Sequence, residues 1–435
     1  MIDLAPARLA AAAGARLAAG DPDGPGPRRV VIDSRDLGPG DLFVGLPGES
    51  VHGGEFAAAA IEAGAWGVLV DPGHAPASGT ALVADDPLAA LGELARSWRR
   101  ELGCRVVGIT GSTGKTSTKD ILAALLAPHV RTHASRENLN TEIGLPLSLL
   151  EAPRGTEVAV LEMAMRGEGQ IAELAAIAEP DVGVIVNVGP VHLELLGTVE
   201  RVAAAKAELI RDLRPGAACV LPASEPLLDG HRRDDLDTWT FGPAGEVMLL
   251  AMSGDRAEIE ARGRTIELEL PFAEPHNLLN TLAAVAAAEA LGVRVSGRVD
   301  VRFSSLRGEL VELPGGVVVV NDCYNANPMS MRAALDHLAE SPAERRIAVL
   351  GLMAELGDGA DAYHREIGAH AAERGIDVLV PVGREALGYL EGFHGEAHPV
   401  ASPEEAGALL EEVARPGDRV LVKGSRSAGL ERVLA

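Results

Sequence analysis

The stretch Gly111-Ser112-Thr113-Gly114-Lys115-Thr116-Ser117 carries the residue types that bind phosphate. Glycines let backbone N–H groups approach an anion, a lysine pairs with phosphate oxygens, and a threonine hydroxyl can ligate Mg²⁺. The full pattern G-x-x-x-x-G-K-[ST] is not met: Ile109 stands six positions before Lys115, and Gly108 falls one place too early. What is met is G-x-x-G-K-T, between an apolar run from Val106 to Ile109 and a helical pattern from Asp120 to Leu126. Strand, glycine loop, lysine and helix in that order favour a nucleotide-phosphate site over an ordinary glycine-rich turn.

Further polar residues belong with this loop. Glu162 closes the apolar run Val158 to Leu161, and Asn187 and His192 follow the run Val182 to Val186. Hydroxyl, carboxylate and neutral imidazole beside nucleotide phosphates suit a hard cation, above all Mg²⁺. Alone, His192 reads as a loop histidine; with Glu162 at an equivalent strand end, the metal reading is favoured. Lys206 shares the apolar stripe of Val199, Val202, Leu209 and Leu213 on a helix from 199 to 213. Such a lysine can snorkel to water, lie buried at a cost, or react with CO₂ to give an anionic carbamate ligand. The residues alone do not choose among these.

The elements that must position these groups fall into three α/β units, expected at 1–82, 83–300 and 301–435. In the first, short strands surround Asp33-Ser34-Arg35, a turn that could hold a diphosphate but more often is plain surface. The N-terminal stretch to Leu17 reads as an amphipathic helix with no basic leader, not a signal peptide. A helix from Pro87 to Leu102 leads into the second unit. There, buried runs at 105–109, 157–161, 182–188 and 218–221 alternate with helices and predict a doubly wound parallel sheet. Ligands in such sheets sit beyond the strands' carboxyl ends. The alternating pattern at 239–271 predicts an antiparallel insertion beside that sheet. Asn277 and Asn280 then open an alanine-rich helix, as caps or as ligand contacts. In the third unit, the strand Val317 to Val320 runs into Asn321-Asp322-Cys323-Tyr324-Asn325-Ala326-Asn327-Pro328. Later strands run into Gly351 to Gly357 and Lys423 to Ser427. These ends would form the far wall of a cleft facing the phosphate loop.

Composition narrows the class. At 435 residues, with 47% hydrophobic and 23% charged residues, the chain is globular and multi-domain. A net charge of -24 argues against non-specific binding to nucleic acid or an anionic membrane. Three scattered cysteines make neither a disulfide framework nor a zinc site, and no apolar run is long enough to span a bilayer. A reducing, cytoplasmic setting is the expectation.

The segments TGSTGKTSTK, NLNTEIGLPLSLL, LEMAMRGEGQIAEL, NVGPVHLELLGTVERVAAAKAEL, HNLLNTLAAVAAA, NDCYNANPMSMRAAL and VKGSRS resemble, in the same order, segments of the Mur ligase family of peptidoglycan synthesis. The resemblance covers essentially the whole chain. YNANP is similar to the branch that adds D-alanyl-D-alanine, and the Asn-Pro-Arg signature of the branch adding the third amino acid is absent. The resemblance implies three domains: one for uridine diphosphate, a central P-loop-type parallel sheet for ATP, and a Rossmann-like C-terminal α/β domain for the dipeptide. It implies an ATP- and Mg²⁺-dependent amide ligase joining D-alanyl-D-alanine to UDP-N-acetylmuramoyl-tripeptide; the sequence does not fix the oligomeric state, and a monomer is the expectation. The rival expectations are an amino-acid-adding relative, a folylpolyglutamate-type ligase, and a non-catalytic nucleotide binder.

The same resemblance implies roles for single residues. Lys115 and the backbone from Gly111 to Thr116 would bind ATP phosphates. Thr116 and Glu162 would hold one Mg²⁺, and Glu162, His192 and a carbamylated Lys206 a second. Asn280 would lie near the adenine, Arg307 near the phosphates and Asp322 near the ribose. Tyr324, Asn325 and Asn327 would meet the dipeptide, and Asp33, Ser34 and Arg35 the uridine diphosphate end. The chain departs from the family pattern at Thr141, Asn321, Leu352 and Cys323.

Overall fold

A strand covered on both faces of a parallel sheet must be apolar along its length, and Val106 to Ile109 meets that requirement. In the computed structural model, which describes residues 3–136, 139–313 and 315–434, this run forms the strand Arg105–Thr110, buried from Val106 onward. Met1, Ile2 and Asn138, which open two of the segments discussed above, lie outside the described residues.

Arg105–Thr110 pairs in parallel with Val158–Glu162 on one side and Val182–Ile185 on the other. The chain first builds Thr132–Ala134 and Val158–Glu162 on one flank, then crosses to the opposite flank. That reversal is a topological switch point, where a crevice opens beyond the strand ends. The phosphate loop leaves the sheet there, and register pairs Ile109 with Glu162, so the carboxylate emerges beside the loop.

The sheet continues through Ala218–Pro222 and Asp237–Phe241, which pair in parallel over five positions. The hairpin strands Val247–Ser253, Arg256–Ala261 and Arg264–Glu269 follow. The 239–271 region is therefore not a body beside the main sheet but part of it, on the far side of a sheet of ten strands among the described residues. The reason is burial: Ala257, Ile259, Ala261, Ile266 and Leu268 share one apolar core with the alanine-rich helix Pro275–Ala290, which also backs the older strands. Alternation identifies antiparallel strands but not the sheet they extend.

Two smaller sheets flank this one. The first orders Arg16–Ala19, Thr80–Val83, Gly67–Val70, Leu42–Val44 and Val30–Val31, with Arg16–Ala19 its antiparallel member. The N-terminal helix is shorter than the apolar pattern suggests. It covers Pro6–Ala12, and Gly14, at φ 60°, turns the chain into the strand at Arg16. Among the described residues the third sheet has six strands and is parallel except for the edge strand Glu309–Leu313. It sets Asp322 directly beside Lys423, and Lys423 beside Leu350.

The phosphate-loop helix runs Lys115–Leu126, starting a turn before its apolar stripe is visible, because Thr116, Thr118 and Lys119 are buried despite their polarity. The helix Gln170–Ala178 is fastened at both ends by side chains. Buried Glu208 accepts from the Gly169 and Ala172 N–H groups at 2.6 and 3.0 Å, complementing the positive end of the helix dipole. Arg99 donates to the Ala178 and Glu179 carbonyls at the other end. Among the described residues, no helix is long and apolar enough to cross a membrane.

Glu208→Ala is expected to lower stability by about 2 kcal/mol, the scale of hydrogen bonds to a charged group; an unchanged urea midpoint would contradict this. Burial pushes the Cys219 thiol up to about 12 and the Cys323 thiol to about 11, and all three cysteines are free and buried. Because the thiolate is the reactive form, a disulfide reagent at about pH 8 is expected to leave the folded chain unlabelled. All three thiols should react once guanidinium unfolds it, and prompt labelling of the native chain would count against this packing.

Candidate active site

A cavity of about 1070 Å³ lies between the carboxyl ends of the central and C-terminal sheets. Loop residues Ser112 to Ser117 line it, with Glu162, His192 and Asn280 from the central unit. Arg307, Asp322, Tyr324, Asn325, Asn327 and Lys423 line it from the other side.

The loop is a pre-formed cradle. The Thr113 N–H donates to Asn187 Oδ1 at 2.9 Å, and Asn187 Nδ2 donates back to Thr113 Oγ1 at 2.9 Å. Ser112 Oγ exchanges bonds with the Gly189 backbone. Gly114 has φ 75°, and a Cβ there would fall 2.4 Å from Asn280 Oδ1. Asn280 is thus buried against the loop itself. Lys115 Nζ folds back on the Gly111 carbonyl at 2.9 Å. Desolvation by the cavity walls lowers its pKa, and Arg307 pushes the same way while Glu162 opposes.

Glu162 is 2% exposed yet has both oxygens satisfied. Oε2 accepts from Thr116 Oγ1 at 2.7 Å and Oε1 from Asn140 Nδ2 at 2.8 Å. Hydroxyl and carboxylate therefore meet as the sequence predicts. His192, at φ 55°, turns its Nδ1 to Glu355 Oε2 of the C-terminal unit, 2.5 Å away. This bond holds the Glu355 carboxyl below its usual range. Lys206 is 1% exposed and does not line the cavity. Among the described residues it has no hydrogen-bond or ion-pair partner, and burial, reinforced by repulsion from Lys115, drives its pKa well below the ordinary lysine value. A snorkelling ammonium is thereby excluded.

On the opposite wall, Arg307 stacks over the Tyr324 ring at 4.2 Å. Burial raises the Tyr324 phenol, against the pull of Arg307. Asp322 receives the buried Lys423 ammonium at 2.6 Å, and Lys423 also donates to the Asn325 carbonyl. Asn327 caps the helix Pro328–Glu340 in a capping box with Ser330, so its side-chain oxygen is committed. Asp33 and Arg35 lie away from this cavity and hold each other in a surface turn with Ser34 between them, which lowers the Asp33 carboxyl to about 2.

Sequence reasoning assigned no role to Asn140, Glu355 or Lys423, and none to Asn187 beyond its place at a strand end. Their signals were present: Asn187 ends a buried strand, and the others fall in polar strand-end or loop segments. Their partners, however, are distant in sequence.

A phosphate cradle at the switch point of a doubly wound sheet, roofed by a second α/β unit, defines a P-loop-type nucleotide-binding architecture. Family models match residues 28–99 (Mur ligase family, catalytic domain), 109–288 (Mur ligase middle domain) and 306–426 (Mur ligase, glutamate ligase domain). The chain belongs to the Mur ligase family. Curated relatives include the UDP-N-acetylmuramoyl-tripeptide--D-alanyl-D-alanine ligase of Bacillus subtilis, 36% identical over 93% of this chain and 92% of that one. The Escherichia coli ligase of the same name is 32% identical at the same coverages of 93% and 92%. Among solved structures, a MurF from Acinetobacter baumannii aligns with TM-score 0.90 and 29% identity, covering 99% of this chain and 98% of that one. MurF from Thermotoga maritima in complex with ADP aligns with TM-score 0.83 and 32% identity, covering 94% and 96%.

Gly114→Ala combines a left-handed backbone, costing about 1–2 kcal/mol for a residue with a Cβ, with the Asn280 contact. It is expected to weaken binding of a fluorescent ADP analogue about tenfold or more. Unchanged affinity would show that the loop geometry is not what holds the nucleotide.

Proposed function

We propose that the chain is an ATP-dependent ligase joining D-alanyl-D-alanine to UDP-N-acetylmuramoyl-tripeptide in peptidoglycan precursor synthesis. The observation that carries this reading is the shared cavity: a phosphate loop with Glu162 on one wall, and the Asp322 to Asn327 segment on the other. The names of the relatives support the same substrates, and the ADP complex of the Thermotoga protein supports ATP.

In this reading a tripeptide carboxylate oxygen attacks the γ-phosphorus of ATP. An O–P bond forms as the bond to the ADP oxygen breaks, giving an acyl phosphate. The dipeptide amine then attacks the acyl carbon, phosphate departs with the C–O bonding electrons, and the amine loses its proton. Two anions must meet in the first step. Lys115 and Arg307 offer positive charge to offset that repulsion and to stabilise charge on the transferring phosphoryl group.

The donors fit Mg²⁺. Thr116 and Glu162 offer a hydroxyl and a carboxylate already in contact, and His192 offers an imidazole on the same cavity. Bound Mg²⁺ supplies charge neutralisation between nucleophile and phosphate. Lys206 fits this set only as an anion. Its amine is buried and unpartnered, burial lowers its pKa, and the neutral amine is the form that adds CO₂ to give a carbamate and a proton. Asn280 would then flank the nucleotide behind the loop, and Asp322 would reach the ribose on exchanging its Lys423 contact. Tyr324, Asn325 and Asn327 would shape the dipeptide end, and Asp33, Ser34 and Arg35 the uridine diphosphate end. The units 1–82, 83–300 and 301–435 correspondingly serve nucleotide-sugar, ATP and dipeptide, with the reaction run by a monomer in the cytoplasm.

The test is ADP formation by the purified chain. It is expected to require both UDP-N-acetylmuramoyl-tripeptide and D-alanyl-D-alanine, and ADP release with other amines alone would reassign the substrate. Lys115→Ala is expected to lower kcat by about a hundredfold or more, the scale of losing one preorganised charge partner. Lys206→Ala is expected to abolish turnover without rescue by bicarbonate, and wild-type activity in that variant would remove Lys206 from the site.

A further inference from the structure

Five non-glycine residues among those described hold positive φ, and two of them, His192 at 55° and Glu355 at 62°, touch each other across the junction of the central and C-terminal units. Such conformations are unfavourable for residues with a Cβ and persist only where the surroundings over-determine them. The surroundings of Glu355 do so. On its own side, the Met353 N–H donates to His364 Nε2, and the Ala354 N–H to Ser425 Oγ. The Ser425 N–H closes the segment onto the Leu352 carbonyl. On the other side, the Glu194 N–H donates to the Glu355 carbonyl at 3.2 Å, and Arg166 approaches Glu355 Oε1 at 3.4 Å. A Cβ at Gly357 would come within 3.3 Å of the Glu194 backbone, so the two segments are in close contact. One residue of the C-terminal unit thus meets three residues of the central unit.

We propose that Glu355 is a positioning residue, through which docking of the C-terminal unit orients His192 for the cation. The inference rests on the reading of His192 as a metal ligand. A carboxylate can only accept, so the bond at Nδ1 requires the proton there and leaves the Nε2 lone pair free. Carboxylates behind metal-binding histidines fix tautomer and ring orientation in this way. Here the carboxylate belongs to a different unit from the histidine. Separating the units would remove the Nδ1 acceptor, release the ring and weaken the metal set. Cation affinity and docking are therefore coupled through one side chain.

The experiment uses the full chain with a non-hydrolysable ATP analogue, and reads Mn²⁺ affinity by electron paramagnetic resonance. Glu355→Gly removes the carboxylate and relieves the strained φ, so the thermal midpoint should hold or rise. Mn²⁺ binding is expected to weaken about ten- to hundredfold, the usual effect of losing such a partner. Glu355→Gln, whose amide oxygen still accepts from Nδ1, should fall between the two. In a His192→Ala background, Glu355→Gly should cause no further loss. Unchanged Mn²⁺ affinity in Glu355→Gly, or an equal loss in both backgrounds, would overturn the positioning role alone. If His192→Ala binds Mn²⁺ as tightly as the parent chain, the metal reading itself falls and this inference with it.

Discussion

A buried carboxylate whose two oxygens must both find partners is the constraint from which the rest of the site follows. Glu162 stands at the end of a central strand with 2% of its surface exposed. Burying an ion unpaired is too costly for a marginally stable fold. The fold meets the requirement with two neutral donors, Thr116 Oγ1 and Asn140 Nδ2, one for each oxygen. Both come from segments that the sheet must bring to the same strand end. Thr116 arrives because the loop leaves the adjacent strand one residue beyond Ile109, the register partner of Glu162. The phosphate cradle and the acid are thus two consequences of one strand pairing.

The electrostatics of this cavity run against those of the whole chain. The net charge of -24 repels polyanions at a distance. Inside the cavity, Lys115 and Arg307 lie close enough for their charges to oppose one another, and Glu162 pulls Lys115 back toward protonation. Exposed charges are screened over roughly 10 Å at moderate salt, whereas partly buried ones are screened far less. The local field therefore decides what enters. An acidic protein can bind a nucleotide phosphate because the cations are concentrated where water is scarce.

Much of this was legible in the sequence because it is local. The buried strands declare themselves as short apolar runs, and the loop declares itself by glycine, lysine and threonine in fixed order. Glu162 and His192 were found by asking which polar residues end those strands. What stayed hidden is what depends on pairing between distant segments. Asn187 clamps Thr113 through backbone and side-chain atoms, which composition does not reveal. Asp322 meets Lys423 only because their strands, a hundred residues apart, are neighbours in the sheet. The far half of the central sheet was recognised as antiparallel strands but not as part of that sheet, since alternation carries no information about the next neighbour. Asn327 shows the opposite problem, because one asparagine reads equally well as a ligand contact and as a helix cap. The structure commits its side-chain oxygen to the cap.

A site whose walls belong to two units has a kinetic consequence for the reaction proposed. An acyl phosphate is as open to water as to an amine, so it must form only when the cavity is closed. If one wall alone were complete, phosphoryl transfer could run ahead of dipeptide binding and the intermediate would hydrolyse. Dividing the groups removes that possibility. Lys115 and Glu162 sit on one unit, Arg307 and Tyr324 sit beyond the link into the other, and His192 has its partner across the junction. Phosphate charge is then fully compensated only in the docked arrangement, which is also the arrangement that brings the Asp322 to Asn327 segment over the loop. Placing the compensating charges on separate bodies makes chemistry conditional on closure without any additional gate.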